Sequence, residues 1–252
     1  MKQIIIVTFL TLNSFFLFGQ GMTKEEQKVV SNFIDCIIHK KKEKLATKIS
    51  FPFEREYPIP QIKNSQEFLK RYNEVFDDNL TNMIVNSKLS TDWSAVGWRG
   101  IMLLNGEVWL DYDGRLIAVN YQSKYEEKRV YELIKLEKSN LHKSLVKFKN
   151  PVHILETSKY RIRIDDLGKG NYRYASWPLK SKMTDKPDVV IEKGEYKPDG
   201  SGGNHSFIFK NKEYTYECAI IVMGEENAPP ASLTIYKGDK EILSQKADII
   251  RK

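Results

Sequence analysis

Hydrophobic positions along this chain change period partway, from three-to-four in the first third to two thereafter, and that change predicts where helices give way to strands. Val29, Val30, Phe33, Ile34, Ile37 and Ile38 recur at helical spacing, so one stripe of a helix is buried while its lysine-rich end stays wet. Thr23-Lys24-Glu25-Glu26 stands before it. It is a capping box: the threonine oxygen accepts the N3 amide hydrogen and Glu26 reaches back to the threonine N–H. Pro52, Pro58 and Pro60 then forbid regular helix and impose an extended, turning connection. A second box, Asn64-Ser65-Gln66-Glu67, opens a short helix carrying Phe68, Leu69, Tyr72, Val75 and Phe76. Asp77-Asp78 ends it, and Leu80, Met83 and Ile84 mark a further turn or two.

From Trp93 the alternation is strand-like. The runs Trp98 to Leu104, Glu107 to Tyr112 and Arg115 to Tyr121 are separated by Asn105-Gly106 and Asp113-Gly114, dipeptides suited to the positive φ angles of tight hairpins. A three-stranded antiparallel meander is expected. Asp111-x-Asp113-Gly114 resembles the start of a calcium loop, but a third acidic ligand and the distal glutamate are missing, so turn chemistry accounts for it. Tyr125 to Leu145 is expected as a charged linker helix. Beyond it turn signals come every eight to twelve residues, the pattern of an all-β sandwich or barrel.

Helices followed by a curled antiparallel sheet, with Trp98-Arg99-Gly100, Asn105 to Trp109 and Gly114 to Asn120 in succession, resembles the NTF2-like (SnoaL-like) superfamily over residues 22–122. The resemblance is one of pattern. It implies an α+β cone around a pocket that is catalytic, ligand-binding or vestigial in different members, so fold alone assigns no activity. Enzymes of that kind place an Asp/His or similar acid and base in the cone. This chain has no histidine between Lys40 and Leu141. The region after the linker helix resembles no family.

The expected fold class is therefore α+β: an NTF2-like cone (22–122), a linker helix (123–147) and an all-β sandwich or barrel domain (148–252). A signal peptide (1–21) precedes them. Met1-Lys2 supplies a basic start, Ile4 to Phe18 is apolar, and Gly19-Gln20-Gly21 offers cleavage after either glycine. The apolar stretch is shorter than the ~20 residues of a spanning helix, although a retained anchor is the alternative. No cysteine near the exit supports lipid attachment.

Charge and cysteine content narrow the chemistry. The formal charge is +7, carried mostly by scattered lysines without the arginine and aromatic interleaving of a nucleic-acid groove. No nucleic-acid partner is expected, although the excess favours encounters with anionic envelope polymers or acidic proteins. Cys36 lies on the first helix and Cys218 on a strand. One long-range disulfide or two buried thiols both fit, the second better.

Only four histidines occur, His39, His142, His153 and His205. Gly-x-Ser-x-Gly, His-Glu-x-x-His, Cys-x-x-Cys and P-loop motifs are absent from the sequence, which disfavours serine hydrolases, zinc sites and P-loop enzymes. Asn204-His205-Ser206 and Asn79-Leu80-Thr81 match glycosylation acceptors, relevant only in a host that glycosylates.

Two places hold candidate binding residues. On the alternating strand, Glu107, Trp109 and Asp111 share one face. If that face lines the pocket, Trp109 is an apolar platform, the two carboxylates serve acid and base work, and Arg99 beside Trp98 clamps an anion. The other place is Asp199 to His205, where Gly202, Gly203, Asn204 and His205 form either a flexible connection or a backbone nest presenting a loop to a partner. No catalytic residue, metal or cofactor is assigned.

The expected function is that of an exported, secreted or periplasmic, noncatalytic protein of a bacterial-type cell envelope, binding a small-molecule ligand or an envelope protein. The alternatives are a lyase, isomerase or hydrolase using carboxylates in the cone, and an inhibitor or immunity-like protein acting through the β domain.

Overall fold

A computed structural model describes residues 21–250. The expected leader, including cleavage after Gly19, lies outside the described residues.

The first helix, α1 (Lys24–Ile38), begins where the capping box places it: the Glu26 amide donates to Thr23 Oγ1 at 3.2 Å and the Thr23 amide to Glu26 Oε2 at 2.7 Å. After α2 (Lys42–Ala46) and the proline segment comes α3 (Ser65–Val75). Only half of the second box forms there. Asn64 caps the Glu67 amide, but the Glu67 carboxylate accepts from Lys63 instead. Asp77 does not merely stop α3, because its carboxylate accepts the Leu80 amide and so starts α4 (Asp78–Val85).

A small antiparallel sheet follows in the order β1 (Trp93–Ala95), β2 (Ile101–Leu103), β3 (Val108–Leu110), β4 (Leu116–Val119). Trp98, expected on a strand, sits instead in a single 3-10 turn between β1 and β2. Gly100 after it has a φ of 97°, and a Cβ there would lie 2.3 Å from the Leu110 carbonyl oxygen, so glycine is required. One face of the sheet buries Ile101, Leu103, Val108, Leu110, Leu116 and Val119 against Val30, Phe33, Phe68, Val75 and Leu80 of the helices.

From α5 (Lys124–Ser139) onward the chain is dominated by eight longer strands. They are β5 (Asn150–Thr157), β6 (Tyr160–Gly168), β7 (Asn171–Pro178), β8 (Val189–Asp199), β9 (Asn204–Asn211), β10 (Tyr214–Ile220), β11 (Ala231–Lys237) and β12 (Lys240–Ile249). Each pairs antiparallel with the next, and Ala247 to Ile249 of β12 pair with Thr157 to Leu155 of β5, closing an up-and-down barrel.

Closure corrects the expected fold class. The protein is not an α+β chain organised around an N-terminal cone. It is mostly β and 27% helical, a closed eight-stranded barrel plus a four-stranded sheet, with helices in the N-terminal part. Strands of three or four residues, each roughly 10–13 Å long, are too short to curl around a pocket, and their apolar face is filled by the helices.

Apolar residues recur on the inward face of the barrel strands. Leu155, Ile162, Ile164, Tyr174, Phe207, Phe209, Cys218, Ile220 and Leu233 fill the interior. Phe209 lies so close to Gly194 that a Cβ there would meet its ring at 2.1 Å. Cys218 and Cys36 are both buried, free thiols, and burial raises the Cys218 thiol above its ordinary range. Among the described residues, no helix is long and apolar enough to cross a membrane.

Outside the barrel, Leu141, Leu145 and Phe148 cover Ala175 and Trp177. Beneath them Asp165 accepts from Arg163 Nε at 2.7 Å and from Arg173 Nη2 at 2.6 Å. Arg163 also donates to Glu137 of α5 at 2.7 Å, and Tyr57 donates its hydroxyl hydrogen to the same carboxylate at 2.6 Å. One buried ionic chain thus ties the proline segment, the linker helix and the barrel wall together. Burial opposes the Arg163 charge, but Asp165 and Glu137 outweigh it and raise the guanidinium above its ordinary value. Burial and the Glu137 charge likewise raise the Tyr57 phenol.

Candidate functional site

A cavity of about 810 Å³ opens at one end of the barrel, where the N-terminal part covers its mouth. Its size falls within the range of small-ligand sites, and barrel mouths are among the places where such sites occur.

The barrel side is built by alternation. In β9 His205, Phe207 and Phe209 fall on the same inward face. Tyr196 of β8 is paired with Phe207, and Tyr172 of β7 stands opposite Asp166 of β6. His153 joins them from β5. The result is a cluster of rings around Phe207, with centroids 4.9 Å away for Tyr172, 5.6 Å for Tyr196, 5.5 Å for His205 and 5.9 Å for His153. Each of the four is inclined to Phe207 by 66–82°. The two imidazoles stack at 6.1 Å, and Tyr196 lies 5.0 Å from His205.

Strand pairing is irregular at this end. Register shifts occur between Pro151 and His153, between Asp166 and Gly168, and between Tyr172 and Tyr174. Bulges gather at barrel rims, where an extra residue re-aims the side chains beside it. Here they flank His153, Asp166 and Tyr172.

The opposite wall comes from the proline segment, β4 and the start of α5. Its fixed element is a fork: Arg55 Nε donates to Glu126 Oε1 at 2.7 Å and Nη2 to Glu126 Oε2, while the guanidinium also donates to the Val119 and Tyr121 carbonyls. Both side chains are almost fully buried, so the pair is bidentate and shielded from water. Ser123 caps the helix by accepting the Glu126 amide, which sets Glu126 in the first turn, where a carboxylate is favoured.

Glu54, Glu56 and Asp166 line the cavity along with the Arg55–Glu126 pair. Asp166 Oδ1 accepts from the Gly168 amide at 2.6 Å and its other oxygen from the Asn150 amide group at 3.5 Å. Burial, and then the Asp166 charge, raise the Tyr172 phenol.

Of the residues singled out from sequence, His205 alone lines this cavity. Trp98 is 70% exposed, and Arg99 beside it is exposed too. Glu107, Trp109 and Asp111 do share a face, but it is the one turned away from the helical core, and Val108 and Leu110 are buried in their place. Asp111 pairs with Arg115 at 2.5 Å. Gly202 and Gly203 belong to the β8–β9 turn, where Gly203 has a φ of 88°. Asn204 accepts the Val222 and Met223 amides and donates to the Met223 carbonyl, so it pins one loop to another.

His153, Asp166, Tyr172, Tyr196 and Phe207 were not singled out, and neither was the Arg55–Glu126 fork. Alternation puts His205 beside Phe207 on one face, which was the available signal. That three other strands, β5, β7 and β8, deliver rings to the same point was not visible. Among the described residues no group of three or more His, Cys, Asp or Glu side chains is placed to hold a metal ion. No protein-family model, curated protein or solved structure matches this chain.

Proposed function

We propose that this chain is an exported, noncatalytic binding protein that holds a small organic molecule in the cleft between the barrel mouth and the N-terminal part. The observation that carries the reading is an 810 Å³ cavity whose barrel wall is a cluster of five rings set by irregular strand register. Rings offer large contact area at low conformational cost, and the polar groups among them orient a ligand. Export rests on the basic, apolar and small-residue succession of residues 1–21.

The enzymatic alternative gains nothing from the carboxylates that motivated it, since neither Glu107 nor Asp111 lines the 810 Å³ cavity and Asp111 is ion-paired with an exposed arginine. The partner-presenting loop also loses its free polar tip, because Asn204 is bound to the backbone of residues 222–223.

The test is a fragment screen by NMR on the purified protein, observing ring resonances of His153, His205 and Tyr196. Binders should perturb these together, and a Tyr196→Ala/His205→Ala variant should lose them. A diverse library that moves none of the three would refute the assignment.

A further inference from the structure

The cleft's charge differs from that of the chain that builds it. Lysine and arginine number 40 against 33 acidic residues overall, yet among the described residues the cavity lining contains one lysine or arginine, Arg55, already committed to Glu126. No lysine lines it. Glu56 and Asp166 face the same space, and among the described residues neither has a salt-bridge partner; the donors to Asp166 are neutral amides. An anionic ligand would meet carboxylates here.

Ring geometry points the same way. His153, His205, Tyr172 and Tyr196 surround Phe207 at steep angles. The rings stand in two orientations, steep to Phe207 and within 28–37° of each other along His153, His205 and Tyr196, and aromatic rings lining a cavity are the groups that hold quaternary and alkylated ammonium ions. Resting on the binding function proposed above, we infer that the occupant is an organic cation, an ammonium group seated against the Tyr196, Tyr172 and Phe207 rings with Asp166 and Glu56 answering its charge. The overall +7 charge does not prevent this, because salt screens exposed charges beyond about 8–10 Å.

The experiment compares choline with 3,3-dimethylbutan-1-ol, its neutral carbon isostere, by calorimetric and NMR titration of the full protein. A quaternary ammonium cannot lose a proton or donate a strong hydrogen bond, so the pair isolates charge. Choline should bind about tenfold more tightly than the alcohol. Tyr196→Leu keeps apolar bulk and removes the ring, and Asp166→Asn keeps an acceptor for the Gly168 amide. Each should weaken choline about fivefold and the alcohol less, so that the preference for choline falls. A peptide bearing trimethyl-lysine forms a second arm: tighter binding than choline identifies a protein-borne cation, weaker binding a free one. Equal affinity for choline and its isostere, or variants that do not discriminate, would overturn the cationic assignment while fragment binding in the cleft stood. A cleft that takes no fragment would overturn the binding function itself.

Discussion

The N-terminal part and the barrel meet along two seams built on opposite plans. On the barrel wall the seam is dry and saturated with charge: Asp165 is fully buried between Arg163 and Arg173, and Glu137 is held by Arg163 and Tyr57. At the barrel mouth the seam is open, aromatic and acidic, and only the Arg55–Glu126 fork is dry. Buried ion pairs contribute little net stability, yet losing one partner is costly because the other charge is left in a poor solvent. The wall therefore fixes the geometry that leaves the mouth open, and the ligand proposed above would add contacts only at the mouth.

The largest expected effect belongs to the wall. Asp165→Ala strands two guanidiniums, and the loss should be about 3–5 kcal/mol, read as a shift of the urea midpoint. A loss below about 1 kcal/mol would mean that the wall is not the fixed seam.

Tyr57→Phe should cost less, about 1–2 kcal/mol at neutral pH for one hydrogen bond to a carboxylate. Its pH dependence gives a second readout. The Tyr57 phenol is raised in the fold, so its contribution is fully present below the unfolded value near ~10 and fades as pH climbs above it. Tyr72, pushed up to about 12 by burial, acts in the same direction. The wild-type protein should lose stability above roughly pH 10 more steeply than Tyr57→Phe, so the gap between them narrows. Parallel curves would show that Tyr57 is not buried as described.

The smallest effect on stability belongs to the mouth. Tyr196 is 48% exposed, and Tyr196→Leu should change stability by no more than about 0.5 kcal/mol while altering binding. If it unfolds the barrel instead, the mouth rings are structural and the contrast between the seams fails.

Local chemistry was readable wherever it was self-contained. Thr23 and Glu26 form their box because both partners lie within one turn. Asn105-Gly106 and Asp113-Gly114 lie at the bends of the small sheet, where both glycines have positive φ. The second box was misjudged because Glu67 had a nearer donor in Lys63. Extents were harder. β8 runs from Val189 to Asp199, and its outer half is exposed, so its polar residues look like loop in the sequence. The candidate site on Glu107, Trp109 and Asp111 failed for one reason: a period of two says which residues share a face, and does not say which face is covered.

The sequence by itself determined where helices start, where hairpins turn, and that the second half is strand. Tertiary structure alone decided that β12 returns to β5, some ninety residues away in sequence, and that His153, Asp166, Tyr172, Tyr196 and His205 converge on one rim. The physical reason is range. Caps and turns are settled by groups a few bonds apart, whereas barrel closure and the convergence of side chains depend on long-distance pairings that no local pattern encodes.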